Sequence, residues 1–244
     1  MSQQVRVSRC IEFVGDANEE ANIKGNLSTN KMCVVDWFNQ TALDATNDYT
    51  VTVGGTNDSI ALTAAGKHGV TLLSGDTDNE VCFMGTALIF DITQNPIIEC
   101  KVNISDISQS SFYFGFSDAN TESTPASTID YADETLAAAA TDAAGFVSDA
   151  DKSSSLFYAA YIKTGGSVAG ASTGVTPTDT SWHVLRVKLD SSGNCTWYID
   201  GKAVYYKAAA VTDVPLCAIF NAGTRDNGGG DPIYVKYLKA WQDV

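Results

Sequence analysis

The chain of 244 residues carries 29 acidic against 15 basic side chains, a formal net charge of −14, with 44% hydrophobic and 10% aromatic residues. That charge repels phosphate backbones and anionic lipid surfaces, so nucleic acid and membranes are set aside as partners, and the hydrophobic content excludes a disordered chain. A domain of this length buries roughly 70 to 75% of its unfolded surface, enough for a core without disulfides or a structural metal.

The opening residues Met-Ser-Gln-Gln-Val-Arg-Val-Ser-Arg-Cys lack the apolar centre of a signal peptide, and no run approaches the roughly 18 residues of a membrane-spanning helix. The expectation is a protein made and folded in a cytosol. Cys10, Cys33, Cys82, Cys100, Cys195 and Cys217 form no Cys-x-x-Cys pair, and several fall inside predicted strands, which points to buried, reduced thiols. Asn-x-Ser/Thr triplets begin at Asn26, Asn39, Asn57, Asn103 and Asn194, and in that compartment they are expected to stay bare.

Residues 1–47 are the least regular. Val5 to Phe13 alternates like a strand, 15–30 is an acidic, Asn-rich loop, and Met32 to Phe38 reads as a buried strand. This segment is either an edge strand and connection that joins the main body or an arm that reaches a neighbouring subunit. From residue 48 the chain reads as one β-sandwich domain, 48–244. Strand signals come at Tyr49–Val53, Ile60–Thr63, Val70–Leu73, Val81–Met84 and Leu88–Ile92, separated by glycine-bearing breakers. Pro96 opens a longer strand to Ile104, and Ser111–Phe116 follows. Residues 117–144 form the longest stretch without strand signals; Asp133 before Leu136 and four alanines suggests one or two helical turns at most. Strands resume at Phe146–Val147 and Leu156–Lys163, and 165–180 reads as a Gly/Ser/Thr loop.

The clearest pattern runs from Ser181 to Val204. Leu185, Val187 and Leu189 alternate with Arg186, Lys188 and Asp190, a turn follows at Asp190–Gly193, and Cys195, Trp197 and Ile199 alternate with Thr196, Tyr198 and Asp200. Asp200-Gly201 supplies the two left-handed residues of a type I′ turn, so Lys202–Tyr206 folds back antiparallel. Pro215–Phe220 is a continuous apolar strand, and Ile233–Trp241 closes the chain. Many short strands with tight turns indicate an all-β, antiparallel sandwich.

The stretch Trp182-His-x-Leu-x-Val-x-Leu-Asp, followed by Tyr198-Ile-Asp-Gly201, resembles the strand-turn-strand of concanavalin A-like (laminin G-like, lectin and glucanase) jelly rolls, and Ile233 to Trp241 is similar to their closing strand. Ile98–Ile104, Phe112–Asp118 and Ala143–Asp149 add a resemblance to virion structural proteins of tailed bacteriophages built on that fold. The resemblance implies a jelly roll on a virion, most simply a capsid decoration protein on the outer surface, made in the host cytoplasm, contacting capsid or other virion proteins and forming a homo-oligomer. A tail or fibre component, or a carbohydrate-binding module that takes a surface glycan, are the alternatives.

Some relatives of this fold hydrolyse β-glucans with a Glu-x-Asp-x-x-Glu strand motif, whose alternate residues bring an acid and a nucleophile about 5 to 5.5 Å apart. The sequence lacks that motif; Asp76, Asp78 and Glu80 sit in a turn-rich segment in another order. Gly115–Ala119 and Gly165–Ala169 each miss a nucleophile elbow by one residue, and the only histidines are His68 and His183. No catalytic residue, cofactor site or metal site is therefore assigned, and the chain is expected not to be an enzyme. Asp76, Asp78 and Glu80, Asp149 and Asp151, or Asp226 and Asp231 can offer oxygens to Ca²⁺, but none matches an EF-hand loop; solvated acidic loops are the simpler account. Gly228-Gly-Gly230 lacks the Lys and helix of a phosphate loop. For a sugar, Trp37, Phe38, Tyr158, Tyr161 and Trp182 are candidate platforms, whereas Trp197 and Trp241 are assigned to the core.

Overall fold

The computed structural model describes residues 31–244 apart from 41, 46–47, 56, 64–68, 121–126, 155, 180 and 226–230. The predicted strand Val5–Phe13, the 15–30 loop, His68, Asp226 and Gly228–Gly230 lie outside the described residues.

The described residues form seventeen strands: β1 (Lys31–Asp36), β2 (Thr50–Val53), β3 (Ser59–Leu62), β4 (Val70–Leu73), β5 (Val81–Gly85), β6 (Ile97–Ile104), β7 (Ser110–Ser117), β8 (Ile129–Ala132), β9 (Thr135–Ala138), β10 (Ala143–Asp149), β11 (Tyr158–Ile162), β12 (Ala169–Ser172), β13 (Trp182–Leu189), β14 (Cys195–Ile199), β15 (Lys202–Lys207), β16 (Cys217–Thr224) and β17 (Ile233–Asp243). They pair antiparallel in two large sheets. The first runs β15-β14-β13-β6-β17-β4-β3, with β1 added beside the far end of β17. The second runs β12-β11-β10-β7-β16-β5-β2, and β8 and β9 form a separate hairpin.

Period-two patterning decides what lies between the sheets. Ile98, Cys100, Val102 and Ile104 of β6, Leu185, Val187 and Leu189 of β13, and Ile233, Val235, Leu238 and Ala240 of β17 face Phe112, Phe114 and Phe116 of β7, Phe146 of β10 and Phe220 of β16 in one core. Trp197, fully buried on β14, donates from Nε1 to the Gly145 carbonyl at 2.8 Å, so its one polar atom is satisfied by the opposite sheet. None of the described cysteines is in a disulfide; burial pushes the Cys82 and Cys217 thiols up to about 12.

The middle of the second sheet is buried on both faces, while its edge strands β2 and β12 stay partly exposed. Every residue of β7, β10 and β16 is buried, because the β8–β9 hairpin lies over the face turned away from the core. Ile129 and Tyr131 of β8, with Leu136 and Ala138 of β9, cover Phe83, Tyr113, Ala143, Val147, Tyr158, Cys217 and Ile219. This corrects the helical reading of Asp133–Ala140. Asp133 and Glu134 take left-handed φ of 45° and 68°, a tight reversal, and the alanines that favour a helix locally alternate instead as a strand with one face to bury. Glu134 is held by Lys152 and the Ser153 N–H, which lower its carboxyl to about 2.

Two other readings change. Leu88–Ile92 is no strand: only Phe90 bridges, to Leu216, and Ile92–Gln94 forms a 3-10 turn capped by Asp91. The 165–180 loop contains β12, whose Gly170 lies against Leu136 of the hairpin. The Asp200-Gly201 turn forms as expected, at φ 50° and 79°.

The hairpin is locked by one buried cation. The Arg225 side chain, 3% exposed, donates from Nε to Asp149 Oδ1 at 2.9 Å and from Nη2 to Asp149 Oδ2 at 2.8 Å, and also reaches Asp130 and the Tyr131 carbonyl on β8. Asp149 Oδ2 in turn accepts from the Tyr131 N–H. Burial opposes the arginine's charge, but the bonds to Asp149 and Asp130 outweigh it and raise its pKa. Replacing Arg225 with Gln strands a fully buried carboxylate, so Arg225→Gln should lose about 3–5 kcal/mol in urea unfolding. Gly145→Ala is predicted to cost about 1–3 kcal/mol by the same measurement, because a Cβ there would meet the Phe114 carbonyl at 2.5 Å and the Tyr113 ring at 2.6 Å.

Candidate functional site

With the middle of the second sheet covered, the face left open among the described residues is the outer one of the first sheet. Six cations point outward from its strands, Lys31, Lys101, Arg186, Lys188, Lys236 and Lys239, against the carboxylates of Glu99 and Asp243. On a chain of net charge −14 this is a local reversal of sign.

Three zones follow one another along the strands. At one end a groove of about 470 Å³ is lined by Lys31, Asn95, Lys188, Asp190, Asn194 and Tyr198, with Ile97, Thr196 and Asp243. Burial pushes the Asp190 carboxyl up, but the Asn194 side chain and the N–H groups of Ser192 and Asn194 prevail and leave it below its usual value. Lys31 and Asn95 hold the Asp243 carboxyl below the usual value too. The groove therefore offers ionised acceptors and ammonium donors side by side.

The middle zone is a buried network. Glu99, 2% exposed, accepts from Arg186 Nε at 2.8 Å and from the Tyr237 hydroxyl at 2.9 Å, joining β6, β13 and β17. The Arg186 guanidinium lies 6.0 Å from the rings of both Tyr198 and Trp241, and Lys239 lies 5.2 Å from Trp37 and 4.9 Å from Tyr237. At the far end Trp182, 42% exposed, has the ammonium groups of Lys101 and Lys236 at 5.8 and 5.9 Å from its ring. From Ile97 to Asn103 along β6 the strip is roughly 20 Å long.

Of the platforms expected from sequence, Trp37 and Trp182 are exposed on this face. Phe38 is buried. Tyr158 is buried beneath the hairpin against Tyr131, so it is no platform. Tyr161 packs on the core beside Trp197, with Lys207 5.1 Å from its ring. Trp197 is core as expected, whereas Trp241 is buried on the outer face under Arg186, because the bulge after Val235 shifts the alternation of β17.

The remaining candidates do not converge. Asp76 accepts from Asn57 of the β2–β3 connection, and Asp78 from Asn79 and Glu80 from the Thr77 N–H within their own exposed turn. Asp149 is the partner of Arg225, with Asp151 3.6 Å from the same guanidinium, and Asp231 lies in the connection before β17. Among the described residues no group of three or more His, Cys, Asp or Glu side chains could hold a metal ion. His183 bonds Asp200 through Nδ1 at 2.9 Å, and its ring meets Phe157 edge-on. Gly115–Ala119 runs through the end of β7 and Gly165–Ala169 is the turn before β12, so neither is a strand-to-helix elbow. The strip itself was missed. Its signal is the polar half of each alternation, such as Lys101 with Asn103 or Arg186 with Lys188, which is uninformative until the strands are placed side by side.

No family model matches the sequence, and no curated protein matches it. Solved structures similar to it include the carbohydrate recognition domain of Emp47p, 12% identical over 87% of this chain and 95% of that one with a TM-score of 0.59. A laminarinase from Rhodothermus marinus is 12% identical over 86% and 96%, with a TM-score of 0.59, and a protein of unknown function from Shewanella oneidensis MR-1 is 12% identical over 96% and 97%, with a TM-score of 0.52. The expectation that the chain is not an enzyme is corrected by these neighbours, since glucan-hydrolysing laminarinases share the fold. At such low identity the likeness establishes architecture: the chain is a concanavalin A-like jelly roll.

Proposed function

We propose that this chain is a glycan-binding jelly roll whose working surface is the outer face of its first sheet. The observation that carries the reading is the strip of roughly 20 Å that joins the polar groove to the Trp182 platform. Sugar rings combine flat apolar faces with hydroxyl edges, so they call for exposed aromatic faces beside donors and acceptors already fixed in place. Trp37 and Trp182 supply the first, with the half-buried Tyr198 at the groove, and Asn95, Lys188, Asp190 and Asn194 supply the second. The fold shared with a carbohydrate recognition domain supports this reading.

The setting proposed for it is the outside of a tailed-phage particle, as a capsid decoration protein or a tail or fibre component. The observations in favour are the resemblance carried by β6, β7 and β10 and the net charge of −14, which disfavours a place against packaged DNA. Mass spectrometry of purified particles tests it: the chain should be found in intact virions, and its absence from them would sink this setting.

On a glycan array the wild-type chain should retain specific glycans, and Tyr198→Ala or Trp182→Ala should weaken retention at least fivefold while circular dichroism stays unchanged. A flat array for the wild-type protein removes the glycan reading. Because the Asp190 and Asp243 carboxyls are held below their usual value, their contribution is complete at neutral pH and is lost only as pH falls through their lowered values. Retention measured against pH should therefore stay level through the mildly acidic range and drop only in stronger acid.

A further inference from the structure

The far end of the strip carries more positive charge than a neutral sugar needs. Among the described residues Lys101 and Lys236 have no carboxylate within 4 Å, and both stand beside the exposed indole of Trp182. Opposite Trp182 on β6 is Asn103, which also pairs with Tyr234 of β17. Asn103 is 5% exposed, faces outward, and its Nδ2 has no hydrogen-bond partner. A buried amide donor left unpaired is unfavourable, so native structures nearly always satisfy it.

We infer that the ligand is an acidic polysaccharide, and that Trp182, Lys101, Lys236 and Asn103 form the subsite for one of its charged rings. This rests on the glycan-binding reading above and deepens it. The ring face lies on the indole, its carboxylate or sulfate sits between the two ammonium groups, and the Asn103 amide donates to a ring substituent. Elsewhere on the strip the carboxylates of Asp190 and Asp243 in the groove accept from sugar hydroxyls. That mixture separates an acidic glycan from a nucleic acid: a closely spaced phosphate backbone would meet these carboxylates and a molecule of net charge −14, whereas a chain with many hydroxyls per charge uses both kinds of group.

The test is calorimetric titration of the full chain with tetramers of galacturonate and mannuronate, a hyaluronan tetrasaccharide and a sulfated galactan oligosaccharide, each beside its uncharged counterpart, at low and at physiological salt. At least one acidic oligosaccharide should bind ten times or more tighter than its neutral counterpart and weaken with salt. The double variant K101Q/K236Q should lose at least tenfold of that affinity. The double variant K202Q/K207Q, which removes the same charge from β15 away from the strip, should not. Equal binding of acidic and neutral oligosaccharides overturns the inference and leaves glycan binding standing. Equal loss in both double variants overturns it as well, and so does tighter binding of polyaspartate or a thymidine oligonucleotide. If no array glycan and none of these oligosaccharides binds, the glycan-binding reading falls together with it.

Discussion

The pairing of Arg225 with Asp149 is the constraint on which the rest of this surface depends. A carboxylate at the end of a fully buried strand is tolerable only with a charged, doubly bonded partner, and Arg225 supplies it from the residue just after β16. Because the same guanidinium and the same carboxylate also bond β8, the ion pair that neutralises a buried charge also fixes the hairpin over the second sheet. The outward residues of β10, Ala143, Gly145 and Val147, are small or apolar and fit under that cover, with Gly145 and its neighbour Gly115 leaving room for the Tyr113 ring.

Covering one sheet makes the molecule two-sided. Among the described residues, what remains open is the outer face of the first sheet, where the charge sign is opposite to that of the chain as a whole. Its middle is held rigid by Glu99, which Arg186 and Tyr237 bind from two neighbouring strands, so the aromatic and basic groups around it stand in a fixed array. Groups held in place before a ligand arrives lose little side-chain freedom on binding. A strip of this kind is better suited to an extended, rigid ligand than to a small molecule, because its polar groove and its exposed indole lie at opposite ends of the same strands.

Strand after strand was legible in the sequence because two-residue alternation with turn residues between is a local signal. Val70–Leu73 is reproduced to the residue, and β13 to β15 follow their predicted course through the type I′ turn. The failures have a common cause. Asp133–Ala140 has helical propensity but lies on an apolar face that only a strand pair can cover, and tertiary burial outweighs a few tenths of a kcal/mol per residue of intrinsic preference. Trp241 reads as core by its type, yet the bulge in β17 turns it outward, a one-residue shift that no local pattern announces. Tyr158, an apparent platform, is buried by a hairpin that precedes it in the chain by some two dozen residues.

By itself the sequence determined the class of fold, the alternating faces of its longest strands and the sign of its overall charge, since each of these is a property of neighbouring residues or of their sum. Tertiary structure alone decided which face was left open and which side chains share it. Lys101, Trp182 and Lys236 are separated by as many as 135 positions in the chain and become neighbours only because β6 lies between β13 and β17. Sheet order is set by the burial of the whole apolar surface at once, and for that reason the site it assembles has no counterpart in any one stretch of sequence.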